Sequence, residues 1–102
     1  MKNKISIERI KEILANHKKD INEKYRVKEI GIFGSYVRGE ERQRSDLDVL
    51  VEFDDDARMD LIKFVELEYY ISKLLKVKID LVEKSVLKPR IGKHILREVV
   101  YL

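Results

Sequence analysis

Two short motifs, each at the end of an apolar run, constrain this chain more than any other feature of its sequence. The first run, Val27–Phe33, ends in Gly34 and Ser35, and ten residues separate Ser35 from the second motif. That motif places Asp46 and Asp48 at the start of another apolar run. Short apolar runs bounded by turn residues predict strands. We therefore expect a small flexible turn to lie near two carboxylates that leave a strand on the same side.

The acidic residues indicate a site for divalent cations. Two carboxylates at positions i and i+2 of a strand repel each other unless positive charge lies between them, and Mg²⁺ prefers oxygen ligands of this kind. Asp80 is a third acid, in the middle of the apolar run 77–82. We expect its side chain to be buried, where an unpaired carboxylate is costly and needs a cation or an arginine. Three carboxylates on neighbouring strands could hold two metal ions about 4 Å apart, which suits a phosphoryl-type displacement.

The glycine-serine turn indicates a site for phosphate. Gly34 lets the backbone approach a phosphate closely, and the hydroxyl of Ser35 and the amides of the next turn can donate hydrogen bonds to its oxygens. Arg38 lies one turn further on, and Arg42 and Arg44 follow in a charged segment. Any of these three cations could neutralise additional phosphate charge.

Each motif alone also has a purely structural interpretation. Gly-Ser turns are common, and acids at the start of a strand often cap it or form salt bridges. The acidic run 54–56 is most simply a solvated turn, not a second metal site. A structural interpretation of the whole pattern, however, leaves Asp46, Asp48 and Asp80 unexplained.

The periodicity of the remaining residues predicts helices around the strands. Apolar residues at helical spacing indicate one helix from its N-cap, Ser6, to about Glu23, and a long helix over 59–76. Pro89 suits the first turn of a last helix, and residues 99–102 could extend that helix or form a short edge strand. The charged segment 40–45 is expected to be an exposed loop. This order predicts an α+β fold, a single domain over residues 1–102 in which helices flank a small mixed β-sheet.

Composition narrows the possible partners and locations. The 22 Lys and Arg residues exceed the 19 Asp and Glu residues so slightly that we expect no strong nucleic-acid binding. The chain has no cysteine, which excludes disulfides and thiolate metal sites. No apolar run approaches the roughly 20 residues that span a bilayer, and no apolar signal-peptide core follows the first residues. We therefore expect no membrane attachment and a cytoplasmic location.

The spacing of the two motifs resembles that of a known superfamily. Phe33, Gly34 and Ser35, followed after ten residues by Asp46 and Asp48, resemble the signature of the DNA polymerase β-type nucleotidyltransferases. The short length, the sequence GSYVRG of the first motif and the ending ILREVVYL resemble the minimal branch of that superfamily, the MntA-like proteins. The likeness covers nearly the whole chain and implies the nucleotidyltransferase fold.

The resemblance implies a role for each acid and for the turn. By motif position, Gly34 and Ser35 would hold a nucleoside triphosphate, and Asp46 and Asp48 would bind both of two Mg²⁺ ions. Asp80 matches a third acid, which helps to bind one ion and activates the incoming hydroxyl group.

The resemblance also implies a reaction and a partner. MntA-like proteins resemble the antitoxin of a type VII toxin–antitoxin pair, which transfers AMP from ATP to a tyrosine of a HEPN-domain ribonuclease toxin. Arg38 would contact phosphate or support the loop. Since no member of the expected catalytic set is missing, we expect an active Mg²⁺-dependent enzyme with ATP as its substrate and a HEPN toxin as its partner.

Two other functions fit the same residues. The acceptor could be a small molecule or an RNA end, although a net charge of +3 offers little basic surface for RNA. Alternatively, the chain could be a non-catalytic antitoxin that neutralises its toxin by binding, through the broad apolar face of the long helix. Loss of neutralisation without loss of binding, in variants of Asp46 and Asp48, would distinguish catalysis from occlusion.

Overall fold

This computed structural model describes residues 5–39 and 46–102, and its elements follow the predicted order. The strands are β1 (Val27–Phe33), β2 (Leu47–Phe53), β3 (Ile79–Glu83) and β4 (Val100–Tyr101). The helices are α1 (Ile7–Tyr25), α2 (Ser35–Arg38), α3 (Leu61–Leu75) and α4 (Pro89–Glu98), with a 3₁₀ turn, Lys84–Val86, after β3. The predicted loop 40–45, with Arg42 and Arg44, lies outside the described residues. None of the helices described is long and apolar enough to cross a membrane.

The strands form a mixed sheet in the order β3-β2-β1-β4. Strand β1 pairs antiparallel with β2 and with β4, whereas β3 lies parallel to β2. The prediction of a small mixed sheet flanked by helices is therefore confirmed. The sheet also decides between the two predictions for the last residues, because Val100–Tyr101 form an edge strand and do not extend α4.

One face of the sheet carries the hydrophobic core. Helices α1 and α3 pack against this face, where their apolar side chains meet alternate residues of β1 and β2. The members of the core with at most 1% exposure are Ile10, Leu14, Ile21, Ile30, Ile32, Leu47, Val49, Val51, Leu67 and Ile71. Because strand side chains alternate, the core determines which face of β2 is left for Asp48.

Side chains at the helix N-termini determine where α1 and α3 begin. The Ser6 hydroxyl accepts a hydrogen bond from the backbone N–H of Arg9 at 3.1 Å, which confirms the predicted N-cap. The Asp60 carboxylate accepts one from the backbone N–H of Lys63 at 2.8 Å. Helix α3 therefore begins at Leu61, slightly later than the periodicity predicts.

The apolar residues of α3 face two ways. Leu67 and Ile71 are buried against the sheet, as predicted for a helix that covers it. A second row is exposed, by 77% at Leu61, 51% at Val65 and 63% at Tyr69. Together with the exposed Ile62, this row forms an apolar surface that we call the α3 stripe.

An arginine holds the acidic turn after β2. Arg26 is the C-cap residue of α1, where its backbone N–H donates to the carbonyl of Asn22. Its guanidinium donates hydrogen bonds to Asp54 and Asp56. Asp55 and Asp56 are exposed, and the turn lies at the end of β2 opposite to Asp48. The interpretation of this run as a solvated turn is confirmed.

Gly31 allows β4 to dock on β1. A Cβ built at Gly31 would lie 2.7 Å from Cγ2 of Val99 and 3.0 Å from the carbonyl oxygen of Val100. The backbone N–H of Leu102 donates to the carbonyl of Ile30 at 3.0 Å, which extends the docked segment. A glycine within a strand often marks such a close approach of another backbone.

We expect Gly31→Ala to lower the free energy of unfolding by about 1–3 kcal/mol, because the added methyl group overpacks against β4. Urea denaturation measures this free energy, and hydrogen exchange at the Leu102 amide reports whether β4 has detached. Val99→Ala removes the nearest colliding methyl group, so it should restore part of the loss when combined with Gly31→Ala. An unchanged free energy of unfolding in Gly31→Ala alone would contradict this role of the glycine.

Candidate functional site

Asp48 and Asp80 lie side by side on the face of the sheet opposite the core. They are register partners on the parallel strands β2 and β3, and neighbouring strands are about 4.8 Å apart. Leu47 and Leu81 belong to the core, so the alternation of side chains directs both carboxylates to the other face. The structure thus brings an acid of the second motif next to the acid of the third strand.

Neighbouring acids act on Asp48. Burial, and then the negative charges of Asp80 and Asp46, raise the pKa of Asp48 to about 6 from its ordinary 3.8. The positive charge of Arg38 acts in the opposite direction. Because a raised carboxyl pKa means that the charged form is poorly stabilised, the site carries negative charge that a cation would compensate.

The prediction that Asp80 is buried is wrong. Its side chain is exposed, whereas Ile79 and Leu81 on either side are buried. Those two residues face the core, so the strand period turns Asp80 away from it, on the edge strand of the sheet. Proximity to Asp48, not burial, connects Asp80 with the site.

Gly34 places the turn directly against Asp48. Its φ of +85° is one that glycine adopts readily and other residues do not. A Cβ built there would collide with Oδ2 of Asp48 and lie 2.9 Å from its Cγ. Ser35 follows as the first residue of α2 and is half-buried. The turn predicted to bind phosphate therefore adjoins the acids predicted to bind metal.

Arg38 and Glu98 form an ion pair at the edge of the acids. Nη1 of Arg38 donates to both carboxylate oxygens of Glu98, at 2.9 and 3.1 Å. Glu98 also raises the pKa of Asp48, so its charge lies within electrostatic reach of the cluster. Glu98 belongs to the ending ILREVVYL, but the sequence assigned it no role, because a single acid near the end of a helix does not indicate which residue it contacts. Only the return of the chain to β1 brings it to the site.

The acids suit a hard divalent cation but do not form a complete set of ligands. Carboxylate oxygens are the ligands that Mg²⁺ prefers, and the raised pKa of Asp48 reflects its burial and the negative charges beside it. Within residues 5–39 and 46–102, no group of three or more acidic or histidine side chains is arranged to hold a metal ion. Mg²⁺ usually binds one or two carboxylates together with substrate phosphates and water. The arrangement fits such a shared site better than a closed protein cage.

We expect Gly34→Ala to lower the free energy of unfolding by about 2–4 kcal/mol, because backbone strain and the collision with Asp48 add together. The matched control is Gly39→Ala, which adds the same methyl group at a φ of +73°, where no atom of residues 5–39 and 46–102, apart from its chain neighbours, lies within 4 Å of it. Backbone strain alone should cost this control about 1 kcal/mol. Urea denaturation measures both losses, and equal losses would contradict close packing of Gly34 on Asp48.

The raised pKa of Asp48 makes the stability of the metal-free protein depend on pH. Because the folded state holds this proton more tightly than the unfolded state, stability should fall as pH rises from about 4 to about 6.

We expect Asp48→Asn to remove this penalty and to raise the free energy of unfolding by about 1 kcal/mol near pH 7.5, with little effect near pH 4. That figure is smaller than the pKa shift alone implies, because solvent screens a partly exposed site. Urea denaturation in EDTA is the measurement, with Asp55→Asn in the acidic turn as the control. Destabilisation by Asp48→Asn near pH 7.5 would contradict the expectation that the charged form of Asp48 is unfavourable in the folded protein.

Comparison of the sequence with known proteins agrees with this geometry. The family model described as "Nucleotidyltransferase domain" matches residues 14–102. The chain is 51% identical over 98 residues to the protein adenylyltransferase MntA of Thermococcus cleftensis, and the match covers 96% of this chain and 97% of that relative.

Solved structures show the same fold. A proposed minimal nucleotidyltransferase superimposes with a TM-score of 0.72 and 30% identity, over 91% of this chain and 95% of that one. The complex of a tri-AMPylated Shewanella oneidensis HEPN toxin with its MNT antitoxin contains a similar chain, with a TM-score of 0.59, 22% identity and coverage of 87% and 70%. The second likeness shows the fold alone. By its motifs, its fold and its MntA relative, the chain belongs to the nucleotidyltransferase family and is a nucleotidyltransferase of the minimal, MntA-like branch.

Proposed function

We propose that this nucleotidyltransferase is a Mg²⁺-dependent protein adenylyltransferase, which transfers AMP from ATP to a tyrosine of a HEPN ribonuclease toxin in the cytoplasm and thereby acts as an antitoxin. The observation that carries the proposal is the packing of Gly34 against Asp48, with Asp80 beside it on the next strand. The turn proposed to bind phosphate thus adjoins a cluster of acids. The name of the Thermococcus cleftensis relative, a protein adenylyltransferase, supports the reaction.

The turn after β1 is the proposed site for the triphosphate of ATP. Gly34 would let the backbone approach a phosphate, and the hydroxyl of Ser35 would donate a hydrogen bond to one of its oxygens. Arg38 would add a charge-assisted contact. Its position at the edge of the acids, where its charge already acts on Asp48, supports this role.

The acids are the proposed ligands of two Mg²⁺ ions. Asp46 and Asp48 would hold both ions, and Asp80 would share one of them. When bound, the ions supply charge neutralisation at the α-phosphate and the departing pyrophosphate. Oxygens of ATP would complete the ligand set, in agreement with the preference of Mg²⁺ for sites shared with a substrate.

The proposed transfer forms one bond and breaks another at the α-phosphorus of ATP. The tyrosine oxygen bonds to this phosphorus while the bond to pyrophosphate breaks, and the tyrosine proton passes to the carboxylate of Asp80. The exposure of Asp80 supports this assignment, because an acceptor on a second protein must reach it from solvent.

A HEPN toxin is the proposed partner on two grounds. An antitoxin of the same fold has been solved in complex with a tri-AMPylated HEPN toxin, which names the class of protein to test. The α3 stripe also offers apolar surface of the kind that protein interfaces use.

A second candidate function is neutralisation of the toxin by binding alone. The α3 stripe favours this function, because contiguous apolar surface often marks a protein interface. An apolar groove continues from the stripe at Leu61 to Val82 and Val86, and none of the three acids lines it. An antitoxin of this kind would not need its acids.

Transfer of label from α-labelled ATP to a purified HEPN toxin, in the presence of Mg²⁺, distinguishes the two functions. We expect AMP on a toxin tyrosine with the wild-type protein, and at least about 100-fold less with Asp46→Asn/Asp48→Asn, since this variant lacks the proposed metal ligands. Mass spectrometry of the toxin identifies the modified residue.

The control is Asp20→Asn/Asp55→Asn, which removes two exposed carboxylates outside the site and should transfer AMP normally. Undiminished transfer by Asp46→Asn/Asp48→Asn would contradict catalysis by these acids. Absence of transfer by the wild-type protein, despite tight binding of the toxin, would instead favour the second candidate.

A further inference from the structure

Glu98 places a negative charge beside the proposed phosphate-binding site, where a negative charge is unfavourable for binding an anion. Its carboxylate is 24% exposed and raises the pKa of Asp48, so it adds to the repulsion among the acids. Acting through space alone, it would also repel the triphosphate of ATP. A carboxylate at this position therefore needs another explanation.

The contact of Glu98 with Arg38 supplies that explanation. Both carboxylate oxygens accept hydrogen bonds from the single nitrogen Nη1, at 2.9 and 3.1 Å. A guanidinium is a rigid planar fork, so a partner that fixes one nitrogen fixes the direction of the others. Arg38 itself is half-exposed, at 48%, and ordering a long, flexible side chain of that kind costs conformational entropy.

The edge strand β4 fixes the position of Glu98, which lies two residues before it in the sequence. Glu98 is the last residue of α4, and the next residue, Val99, lies against Gly31 of β1. The backbone N–H of Val99 donates to the carbonyl of Ile95 at 2.9 Å, which closes the end of the helix. Since β1 also leads into the turn at Gly34, the same strand sets the positions of the turn and of Glu98.

We propose that Glu98 is a positioning residue, which holds the guanidinium of Arg38 at the acid cluster so that Arg38 can bind a phosphate of the nucleotide. The assignment of a nucleotide to this site rests on the proposed function. Glu98 does not touch the nucleotide in this scheme. By orienting Arg38, Glu98 strengthens nucleotide binding more than its own negative charge weakens it by repelling the phosphates.

Binding of AMP-PNP with Mg²⁺, measured by titration calorimetry, tests the proposal through the sign of the effect. We expect Glu98→Gln to weaken binding about tenfold, because Arg38 loses the charge-assisted hydrogen bonds to the Glu98 carboxylate. Repulsion through space alone predicts the opposite, tighter binding in this variant. In the Arg38→Gln background, Glu98→Gln should cause no further weakening.

The matched control is Glu52→Gln. Glu52 is a carboxylate on β2 with 32% exposure and its own cationic partner, Lys84 at 3.6 Å, so this variant removes an equivalent ion pair outside the proposed contact. It should change binding less than about twofold. Unchanged or tighter binding in Glu98→Gln, or additive losses in the double variant, would overturn the proposal.

A measurement without nucleotide separates this proposal from the proposed function. We expect the ¹⁵Nε–¹Hε heteronuclear NOE of Arg38 to fall in Glu98→Gln, while that of Arg26, paired with Asp54 and Asp56, stays unchanged. An unchanged NOE at Arg38 would overturn the positioning role. Failure of the wild-type protein to bind AMP-PNP would contradict the proposed function, whereas the NOE would still report whether Glu98 orders Arg38.

Discussion

Burial of a carboxylate beside other carboxylates is the constraint on which this site depends. Asp48 is half-buried beside Asp80, and burial together with the neighbouring acids raises its pKa to about 6. Such groups stay together only if stabilisation comes from elsewhere in the fold. Here it comes from the opposite face of the same strand, where Leu47 and Val49 are completely buried. The alternation of strand side chains lets one short segment serve the core and the acids together.

Strand β1 connects the other parts of the site. It lies between β2 and β4, and the turn at Gly34 follows directly from it. On one side, the missing side chain of Gly34 leaves room for the carboxylate of Asp48; on the other, Gly31 admits the segment that follows Glu98. The Arg38–Glu98 pair then joins α2 to α4 through two residues that lie 60 positions apart in the sequence. Gly31 within β1 and Gly34 directly after it thus determine how closely β2 and the end of α4 can approach β1.

Much of this architecture could be predicted from the sequence, because its signals are local. Strand β1, Val27–Phe33, has the bounds of its apolar run, and β2 begins within the second motif as expected. Ser6 caps the first helix as predicted. The Gly34 turn and the acid at Asp48 adjoin one another, as the spacing of the motifs suggested. Their roles in binding nucleotide and metal stay predictions.

The features that could not be predicted from the sequence all depend on tertiary contacts. An acid within an apolar run has the same sequence pattern whether it faces the core or solvent, so the exposure of Asp80 could not be predicted without the position of β3 in the sheet. The end of the chain was ambiguous because a two-residue strand has too few residues to show a period, and its pairing depends on space left by Gly31. Glu98 was missed because its partner lies on a distant helix.

The proposed function requires that Asp46, Asp48 and Asp80 bind a divalent cation together with ATP. A paramagnetic divalent ion that replaces Mg²⁺ should then bind beside these three acids. Titration of the ¹⁵N-labelled protein with Mn²⁺ and AMP-PNP tests this most directly, because Mn²⁺ broadens the NMR signals of nearby amides. We predict selective broadening at the amides of Gly34, Asp48 and Asp80, and its loss in Asp46→Asn/Asp48→Asn. Broadening centred on the acidic turn at 54–56, or undiminished broadening at the site in that variant, would contradict a metal site at these acids.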